Sequence, residues 1–441
     1  MGAASFLRKL IGGGARAGVD RRTEELVSLC NALIAESGEY ASTALARDAL
    51  AAYHKCDERC REEFFTVLGR DYGPPVEMVS RAAAAYQAEP THESLLRLQQ
   101  AVDSPRQELF RRLNMAPGGT AALVEMRREL LKGLRAHPEW KVLDADLLHL
   151  LRSWFNRGFL RLERIDWHTS AMVLEKLIQY EAVHAIQGWR DLRRRLEADR
   201  RCFAFFHPQL PDEPIIFIEV ALSRGMSAQV QPLLDIRTQL ADTADADCAM
   251  FYSITNCQEG LRGISFGNQL IKQVVRDLKD EFPHIKRFAT LSPIPGFRRW
   301  LEGEMHGAPL AAEDQALLAR TADPAWHLGE IPEPLQTLLM GLCAYYLVKA
   351  KNGLEPLDPV ARFHLANGAV LERLNWMGDV SEQGMQRSAG MMVNYVYWLD
   401  EVEKNHERYF RDHEVVASPA VERLAKECPL ATAKPAAQKP A

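Results

Sequence analysis

One short unit near the middle of the chain restricts its possible folds more than any other feature does. An apolar run over residues 248–254 is followed by a glycine-bearing loop, an amphipathic stretch from Gly267 to Asp280 and a second apolar run over residues 288–292. Apolar residues at helical spacing on one face predict a helix, and short apolar runs bounded by turn residues are typical of buried strands. The unit is therefore predicted to be strand, loop, helix and strand, which requires a sheet with a helix packed against it.

The chain before this unit has a different pattern. From about Arg22 to Gly158, apolar residues recur at helical spacing between Gly- and Pro-bearing turns, which predicts a bundle of short helices. Helix is predicted again over Ser170–Asp199 and, roughly, over Glu313–Leu374. The strands predicted besides those of the central unit lie over residues 202–206, 215–222 and 392–397.

These patterns divide the chain into an all-helical N-terminal bundle and an α+β domain. We place the helical domain at residues 1–153 and the α+β domain at residues 154–428. The Ala-, Pro- and Lys-rich residues 429–441 carry little that could be buried, and we expect them to be disordered. A chain of 441 residues is long enough for two such domains.

Composition argues against several functional classes. The formal net charge is −5, so nothing indicates a nucleic-acid partner, and no apolar run approaches the ~20 residues that a membrane-spanning helix needs. The 8 cysteines are scattered, which favours reduced thiols and a cytoplasmic location. The residues before Asp20 are basic and lack acids, as in a mitochondrial presequence, but Gly12, Gly13 and Gly14 interrupt any amphipathic helix there. The mitochondrial matrix is therefore the less favoured alternative.

The glycine-bearing loop, Gly260–Gly267, directly precedes the predicted helix. Backbone N–H groups at a helix N-terminus and the positive end of the helix dipole favour anions, and glycines let the backbone approach a phosphate closely. We interpret the loop as a phosphate-binding site. The alternative is that these glycines serve only the turn between strand and helix.

Two further segments carry residues suited to catalysis. Ser292 follows an apolar run and precedes a rigid Pro-Ile-Pro-Gly turn, a position that often faces a cleft at the strand ends. His364 lies near the C-terminus of a helix predicted to begin at about Asp358 and to end at Asn367-Gly368, where the helix dipole favours an imidazolium. The alternatives are a serine that caps a turn and a histidine that is packed or lies at the surface.

A metal site is not predicted. His54, Cys56 and Cys60 have a spacing that metal ligands could adopt, but no fourth ligand pattern follows them. A serine, a histidine and a phosphate-binding loop instead suggest an enzyme that acts on a coenzyme A thioester.

Five stretches together resemble the malonyl-CoA decarboxylase family. They are FFHPQLPDEP (205–214), FYSITNCQEGLRGISFGNQLIK (251–272), FPHIKRFATLSPIPGF (282–297), FHLANGAVLERLNWMGDVS (363–381) and MMVNYVYWL (391–399). They lie in the order expected for the family, and LSPIPGF and FHLANGA are its most specific segments here. The stretch Ile165–Leu196 also fits, and the helical N-terminal part fits loosely.

The resemblance implies a fold, an assembly and site residues. It implies a helical domain that mediates assembly into a homo-oligomer, with a tetramer favoured, and a catalytic domain that resembles the N-acetyltransferase superfamily. It implies a catalytic pair, which falls on Ser292 and His364, and a loop that binds the acyl-CoA. The residues of that loop here are Arg262, Gly263, Ile264, Ser265, Phe266, Gly267 and Asn268. Some eukaryotic relatives have a glutamate at the position of Ser265.

The reaction implied is the decarboxylation of malonyl-CoA to acetyl-CoA and carbon dioxide, through a thioester enolate and without a metal or other cofactor. His364 is predicted to be the proton donor, and Ser292 to bind and orient the acyl group and to relay the proton. The sequence leaves open which of these two side chains contacts C2. The candidate further contacts are Ser253, Asn367, Asn394 and Tyr397. Two alternatives are an acyltransferase of the same fold that moves an acyl group onto an amine, and a non-catalytic acyl-CoA-binding scaffold.

Overall fold

The structure, a computed structural model, describes residues 20–264, 266–304 and 310–432. These residues group into two compact units. The first unit comprises the described residues up to Arg161, Phe206–Ile215 and the loop that begins at Gln258. The second unit comprises Leu162–Phe205, Ile216–Cys257 and the described residues from Gly267 onward.

The first unit is helical, as predicted. Its helices are α1 (Arg21–Ala35), α2 (Glu39–Lys55), α3 (Glu58–Asp71), α4 (Val76–Ala88), α5 (His92–Val102), α6 (Pro105–Asn114), α7 (Gly119–Gly133) and α8 (Lys141–Trp154). The side chains of Asp20, Asp57 and Ser104 accept hydrogen bonds from first-turn N–H groups of α1, α3 and α6, which satisfies donors that the helix itself leaves unpaired. The apolar faces of α1–α3 and α6–α8 form one core around Phe64 and Trp140.

The rest of the described chain forms the sheet and the helices that cover it, and nearly all of it belongs to the second unit, whereas Phe206–Ile215, where the second strand ends and the third begins, belong to the first. The elements of this part of the chain are β1 (Arg161–Ile165), α9 (Ala171–Tyr180), α10 (Trp189–Arg195), β2 (Arg200–His207), β3 (Leu210–Ser223), α11 (Gln231–Leu234), β4 (Cys248–Asn256), α12 (Gly267–Glu281), β5 (Arg287–Thr290), β6 (Ser292–Pro293), α13 (Phe297–Glu304), α14 (Ala312–Ala319), α15 (Glu333–Val348), β7 (Lys351–Asn352), β8 (Glu355–Pro356), α16 (Pro359–Ala366), β9 (Val370–Asn375), α17 (Glu382–Ser388), β10 (Met392–Val396), α18 (Val402–Asp412), α19 (Pro419–Glu427) and α20 (Pro429–Thr432).

The described strands, apart from the short β7–β8 hairpin, form one mixed sheet. Its order is β1-β2-β3-β4-β5-β10-β6, and β9 pairs with β10. β3 and β4 are antiparallel, β4 and β5 are parallel, and α12 connects the parallel pair. β10 then runs antiparallel to β5. The sheet combines antiparallel strands with a parallel pair joined by a crossover helix, and it follows a helical N-terminal region, so the predicted α+β fold class is confirmed.

The helix predicted over Ser170–Asp199 is interrupted. Residues 181–188 are not helical, because the Glu181 carboxylate accepts hydrogen bonds from the backbone N–H groups of Val183 and His184, each at 2.8 Å. These bonds replace the carbonyl acceptors that a continuing helix would supply.

The segment predicted to be helical over Glu313–Leu374 also contains the β7–β8 hairpin and most of the strand β9. Gly368 follows α16 with φ +81°, a conformation that ends a right-handed helix, and β9 begins two residues later against β10. At the C-terminal end, Pro429–Thr432 forms α20 within the segment expected to be disordered, and residues 433–441 lie outside the described residues.

The expectation of reduced thiols is wrong for two cysteines. Cys56 at the end of α2 and Cys60 in the first turn of α3 are joined by a disulfide, with their Cα atoms 5.2 Å apart. The other six cysteines all lie in the described ranges, and they are buried thiols outside this disulfide.

Candidate active site

A cleft opens in the second unit where two parallel strands separate. β4 and β5 pair from Cys248 and Arg287 as far as Phe251 and Thr290. Beyond this point β4 continues to Asn256, whereas the chain after β5 enters β6 and pairs with β10. A β-bulge in β4, opposite β3, lies at the same level. The cleft has a volume of about 340 Å³ and is lined by Val183, Phe251, Tyr252, Ser253, Ile254, Asn256, Leu291, Ser292, Pro293, Pro359, Val360, Phe363 and His364.

The strand predicted over residues 288–292 ends at Thr290. Ser292 follows it on the wall of this cleft, as expected for a residue that comes after a strand end. It begins β6, where it pairs with Val393 of β10, and its side chain is almost fully buried. The Ser292 hydroxyl donates a hydrogen bond to Thr290 Oγ1 at 2.9 Å and lies 3.0 Å from His364 Nε2. The serine therefore does more than cap a turn, since it forms a hydrogen-bonded pair with the predicted histidine.

His364 is held on α16, a helix whose two ends are fixed as the sequence indicated. The Asp358 carboxylate accepts hydrogen bonds from the N–H groups of Val360 and Ala361 at the N-terminus, each at 2.9 Å. Asn367 is the C-cap, and its backbone N–H donates to the carbonyl group of His364 at 3.1 Å. The imidazole is 3% exposed, and this fixed helix directs it to the wall of the cleft.

The imidazolium that the sequence suggested for His364 is not what the structure favours. Burial lowers the pKa of His364 to about 3, so the ring is neutral at physiological pH. The ring stacks on Tyr395 at a centroid distance of 4.5 Å, and its Nδ1 lies 2.8 Å from the hydroxyl group of Tyr397. Burial also holds the pKa of Tyr397 well above its ordinary value, so this phenol keeps its proton.

The four residues predicted to make further substrate contacts differ in whether they contact His364, line the cleft or only support the fold. Tyr397 bonds to His364, and Asn367 caps α16. Ser253 lines the cleft, but its hydroxyl group donates to the carboxylate oxygens of the buried Glu181 at 2.8 and 2.9 Å. The amide of Asn394 is fully engaged with protein groups: its nitrogen donates to two backbone carbonyl groups, and its oxygen accepts from two side chains. Asn394 is therefore a structural residue between β5, β9 and β10.

The glycines of the predicted phosphate loop have two separate roles. A Cβ atom at Gly260 would lie 2.0 Å from the carbonyl oxygen of Val124, so this glycine is required for close packing on α7. Gly263 has φ +89° and is exposed, and a Cβ atom there would make an ordinary contact with the Leu148 side chain at 3.7 Å. Phe266 is buried and Ile264 is half-buried. Ser265 lies outside the described residues, and of Gly267 and Asn268 the structure describes only the backbone at the start of α12.

Sequence reasoning missed the residues that fix these groups in place. Arg127 of α7 is buried and donates hydrogen bonds to the carbonyl groups of Gly260 and Arg262, at 2.7 and 2.8 Å. Thr290 accepts from Ser292, and Glu181 accepts from Ser253. These pairings join distant parts of the chain or depend on strand geometry, so no local pattern announces them.

The described residues do not provide a metal site of the kind considered from the sequence. Cys56 and Cys60 are bonded to each other, and within the ranges that the structure describes no three His, Cys, Asp or Glu side chains lie close enough to bind a metal ion together. Among the helices of those ranges, none is long and apolar enough to cross a membrane.

Comparisons with known proteins agree with the resemblance. The family models described as malonyl-CoA decarboxylase C-terminal domain and N-terminal domain match residues 158–436 and 72–155. The malonyl-CoA decarboxylase, mitochondrial, of Anser anser anser is 38% identical over 387 residues, which are 80% of this chain and 77% of that protein.

Two crystal structures of malonyl-CoA decarboxylases are also similar. The protein from Rhodopseudomonas palustris has a TM-score of 0.88 and 47% identity, and the protein from Agrobacterium vitis has a TM-score of 0.86 and 45% identity. Each comparison covers 91% of this chain and 99% of the other. The chain, with its cleft and its serine–histidine pair, therefore belongs to the malonyl-CoA decarboxylase family.

Proposed function

We propose that this protein converts malonyl-CoA to acetyl-CoA and carbon dioxide, with the acyl group bound in the cleft beside Ser292 and His364. The observation that carries the proposal is the hydrogen bond of 3.0 Å between these two buried side chains at the wall of a mostly apolar cleft. Polar groups held in a site of low polarity act strongly on developing charge.

The substrate itself supplies the electron sink. When the C–C bond to the carboxylate breaks, the electron pair remains on C2 and is delocalised onto the thioester oxygen as an enolate. The reaction therefore requires no metal or organic cofactor. The protein must provide hydrogen-bond donors for the oxyanion, each worth about 3 kcal/mol, and must hold the breaking bond perpendicular to the thioester plane.

The wall of the cleft favours loss of the carboxylate. The described residues that line it carry no Lys or Arg side chain, and most of them are apolar. A substrate carboxylate there would lose hydration without gaining a cationic partner, whereas carbon dioxide, the product, is neutral and has no such cost. Such a cleft destabilises the substrate charge relative to an enolate that accepts hydrogen bonds.

A neutral pair is sufficient to protonate C2. The carbanion of a thioester enolate is a far stronger base than an alkoxide or an imidazolate, so a neutral N–H or O–H group can supply the proton. A neutral imidazole also serves as a hydrogen-bond donor in other enzymes that form enolates. We assign His364 as the proton source, with Ser292 orienting the acyl group and relaying the proton.

The loop Arg262–Asn268 is our candidate for the phosphate-bearing end of coenzyme A. Two arginines hold its backbone in place. Arg127 donates to the carbonyl groups of Gly260 and Arg262, and Arg152 donates to the carbonyl group of Gly263 at 3.2 Å. The N–H groups of Arg262 and Ile264 donate to the carbonyl groups of Glu259 and Leu261, so we place the anion nearer the N-terminus of α12.

The experiment that tests the proposal is release of carbon dioxide from malonyl-CoA by the purified full-length protein, with and without an amine acceptor. We expect release without the amine, and near-complete loss in His364→Asn with coenzyme A affinity nearly unchanged. Ser292→Ala should lower kcat by roughly 10- to 1,000-fold, the cost of one positioned polar group. His327→Asn, a histidine substitution elsewhere in the second unit, is the matched control and should turn over like wild type.

Each alternative has its own outcome in this assay. Acyl transfer that requires the amine would indicate the acyltransferase, and binding of acyl-CoA without either product would indicate the scaffold. Wild-type turnover in His364→Asn would remove this residue from the mechanism.

The helical unit is proposed to mediate assembly into a homo-oligomer, with a tetramer favoured by the family resemblance. All thirteen residues of α4 are described and none is buried, although α4 packs against α5. Met78 on α4 and Leu96 on α5 are 39% and 44% exposed, and exposed apolar side chains on neighbouring helices are typical of interfaces.

Light scattering at micromolar concentration tests this assembly. We expect a multiple of 49.8 kDa for wild type and a lower mass for the double variant Met78→Glu, Leu96→Glu. Leu354→Glu, an exposed position between β7 and β8, should keep the wild-type mass. A wild-type monomer would refute the proposal. The cytoplasmic location stays a prediction, and the relative from Anser anser anser is named as mitochondrial.

A further inference from the structure

Thr290, the last residue of β5, is a second hydrogen-bond partner of the Ser292 side chain, besides His364. It is 1% exposed, and its Oγ1 accepts hydrogen bonds from the Ser292 hydroxyl at 2.9 Å and from the backbone N–H of Tyr395 at 3.2 Å. Its own carbonyl group accepts from the Asn394 side chain at 2.8 Å. The Thr290 hydroxyl oxygen therefore has a fixed position and two donors directed at it.

The direction of the Ser292 bond determines the positions of the other protons. A hydroxyl group has one hydrogen, and in this geometry Ser292 gives it to Thr290. The contact of 3.0 Å between Ser292 Oγ and His364 Nε2 then needs a hydrogen on Nε2. A neutral imidazole has one N–H, so Nδ1 must accept from the Tyr397 hydroxyl at 2.8 Å.

We propose that Thr290 is a positioning residue: by accepting the Ser292 proton, its hydroxyl group holds His364 as the Nε2–H tautomer. The donors then run in one direction, from Tyr397 to His364 to Ser292 to Thr290. Without the Thr290 acceptor, Ser292 turns to donate to Nε2, and the single imidazole hydrogen moves to Nδ1, on the side of Tyr397. The effect on turnover rests on the proposed decarboxylation, because only the Nε2–H tautomer holds its proton toward the acyl group.

The test compares Thr290→Val, which keeps the shape and removes the hydroxyl group, with Thr290→Ser, which restores it. The tautomer is read from ring-nitrogen NMR spectra of ¹⁵N-histidine-labelled protein, with the His364 signals assigned by their loss in His364→Asn. We expect Nε2 to carry the proton in wild type and Thr290→Ser, and Nδ1 to carry it in Thr290→Val. In Thr290→Val, kcat should fall by about 10-fold or more while the KM for malonyl-CoA changes by less than about 3-fold.

Thr321→Val is the matched control, since it also removes a buried threonine hydroxyl group, bonded there to the carbonyl group of Leu318. It should leave the tautomer and kcat as in wild type. Protonation of Nδ1 in wild type, an unchanged tautomer in Thr290→Val, or a loss in Thr290→Ser as large as in Thr290→Val would each overturn the proposal. The wild-type spectrum tests the tautomer even if Thr290→Val does not fold. A wild type that has the Nε2–H tautomer but releases no carbon dioxide would refute the decarboxylation and leave the positioning role intact.

Discussion

The neutral state of His364 leads to a quantitative expectation for stability in mild acid. Burial lowers the pKa of His364 to about 3, against an ordinary value of 6.5. The difference corresponds to about 5 kcal/mol in favour of the neutral ring in the folded protein. At any pH between these two pKa values, the imidazole at this position is mostly protonated in the unfolded chain and mostly neutral in the folded protein. The free energy of unfolding therefore falls as the pH decreases through this window.

Between pH 7 and pH 5 this one group should lower the free energy of unfolding by about 2 kcal/mol. His364→Asn has no titrating group at this position, so its free energy of unfolding should decrease by about 2 kcal/mol less than that of wild type. The difference between the two proteins isolates His364 from the other titrating groups.

The assay is urea unfolding at pH 7 and pH 5, at one fixed protein concentration so that assembly contributes equally. Thr321→Val, which changes no titrating group, should keep the wild-type pH dependence. Equal pH dependence in wild type and His364→Asn would refute the reasoning. An NMR titration in which the His364 ring gains a proton near pH 6.5 would refute it independently.

Two glycine substitutions extend these expectations. Gly263→Val should weaken binding of malonyl-CoA, acetyl-CoA and free coenzyme A alike, measured by calorimetry, because φ is +89° and a side chain would hold the loop away from a phosphate. Gly353→Val, at φ +63° in open space, controls for the strain, and a loss confined to malonyl-CoA would make the loop an acyl site. Gly368→Ala should lower the free energy of unfolding, measured by urea unfolding, by about 1–3 kcal/mol. The reason is that a Cβ atom would lie 2.0 Å from a carbonyl oxygen at the start of α18. An unchanged free energy of unfolding would contradict this packing.

Much of the fold could be predicted because its signals are local. The strand, loop, helix and strand around α12 follow from hydrophobic periodicity, and the end of α16 follows from the Asn367-Gly368 pair. The same local reasoning located Ser292 at a strand end and His364 on a helix. β9 was missed because a six-residue apolar and charged segment directly after a helix has no period that separates strand from helix.

The supporting residues of the site could not be predicted, because their partners are distant in sequence. Arg127 reaches the carbonyl group of Gly260 across 133 positions, and Glu181 accepts from Ser253 across 72. Neither pairing has a periodic or compositional signal in the sequence, since a single arginine on a helix or glutamate at a helix end is usually solvated. The hydroxyl group of Ser253 is bonded to the buried Glu181 carboxylate, so this residue has a structural role in the wall of the cleft.

The expectation of an imidazolium failed for a reason of magnitude. The negative end of a helix dipole stabilises a histidine cation by about 1 kcal/mol, and by about 2 kcal/mol in the best partly buried cases. The burial of His364 opposes it with about 5 kcal/mol, so the neutral ring prevails. The end of a helix can be predicted from the sequence, but the depth at which His364 is buried cannot. The sequence therefore indicated only the effect of the helix dipole, which is the smaller of the two. The outcome suits the proposed reaction, because a buried cation beside the cleft would pair with the substrate carboxylate and oppose its departure, whereas a neutral donor leaves the carboxylate unpaired and still protonates the enolate.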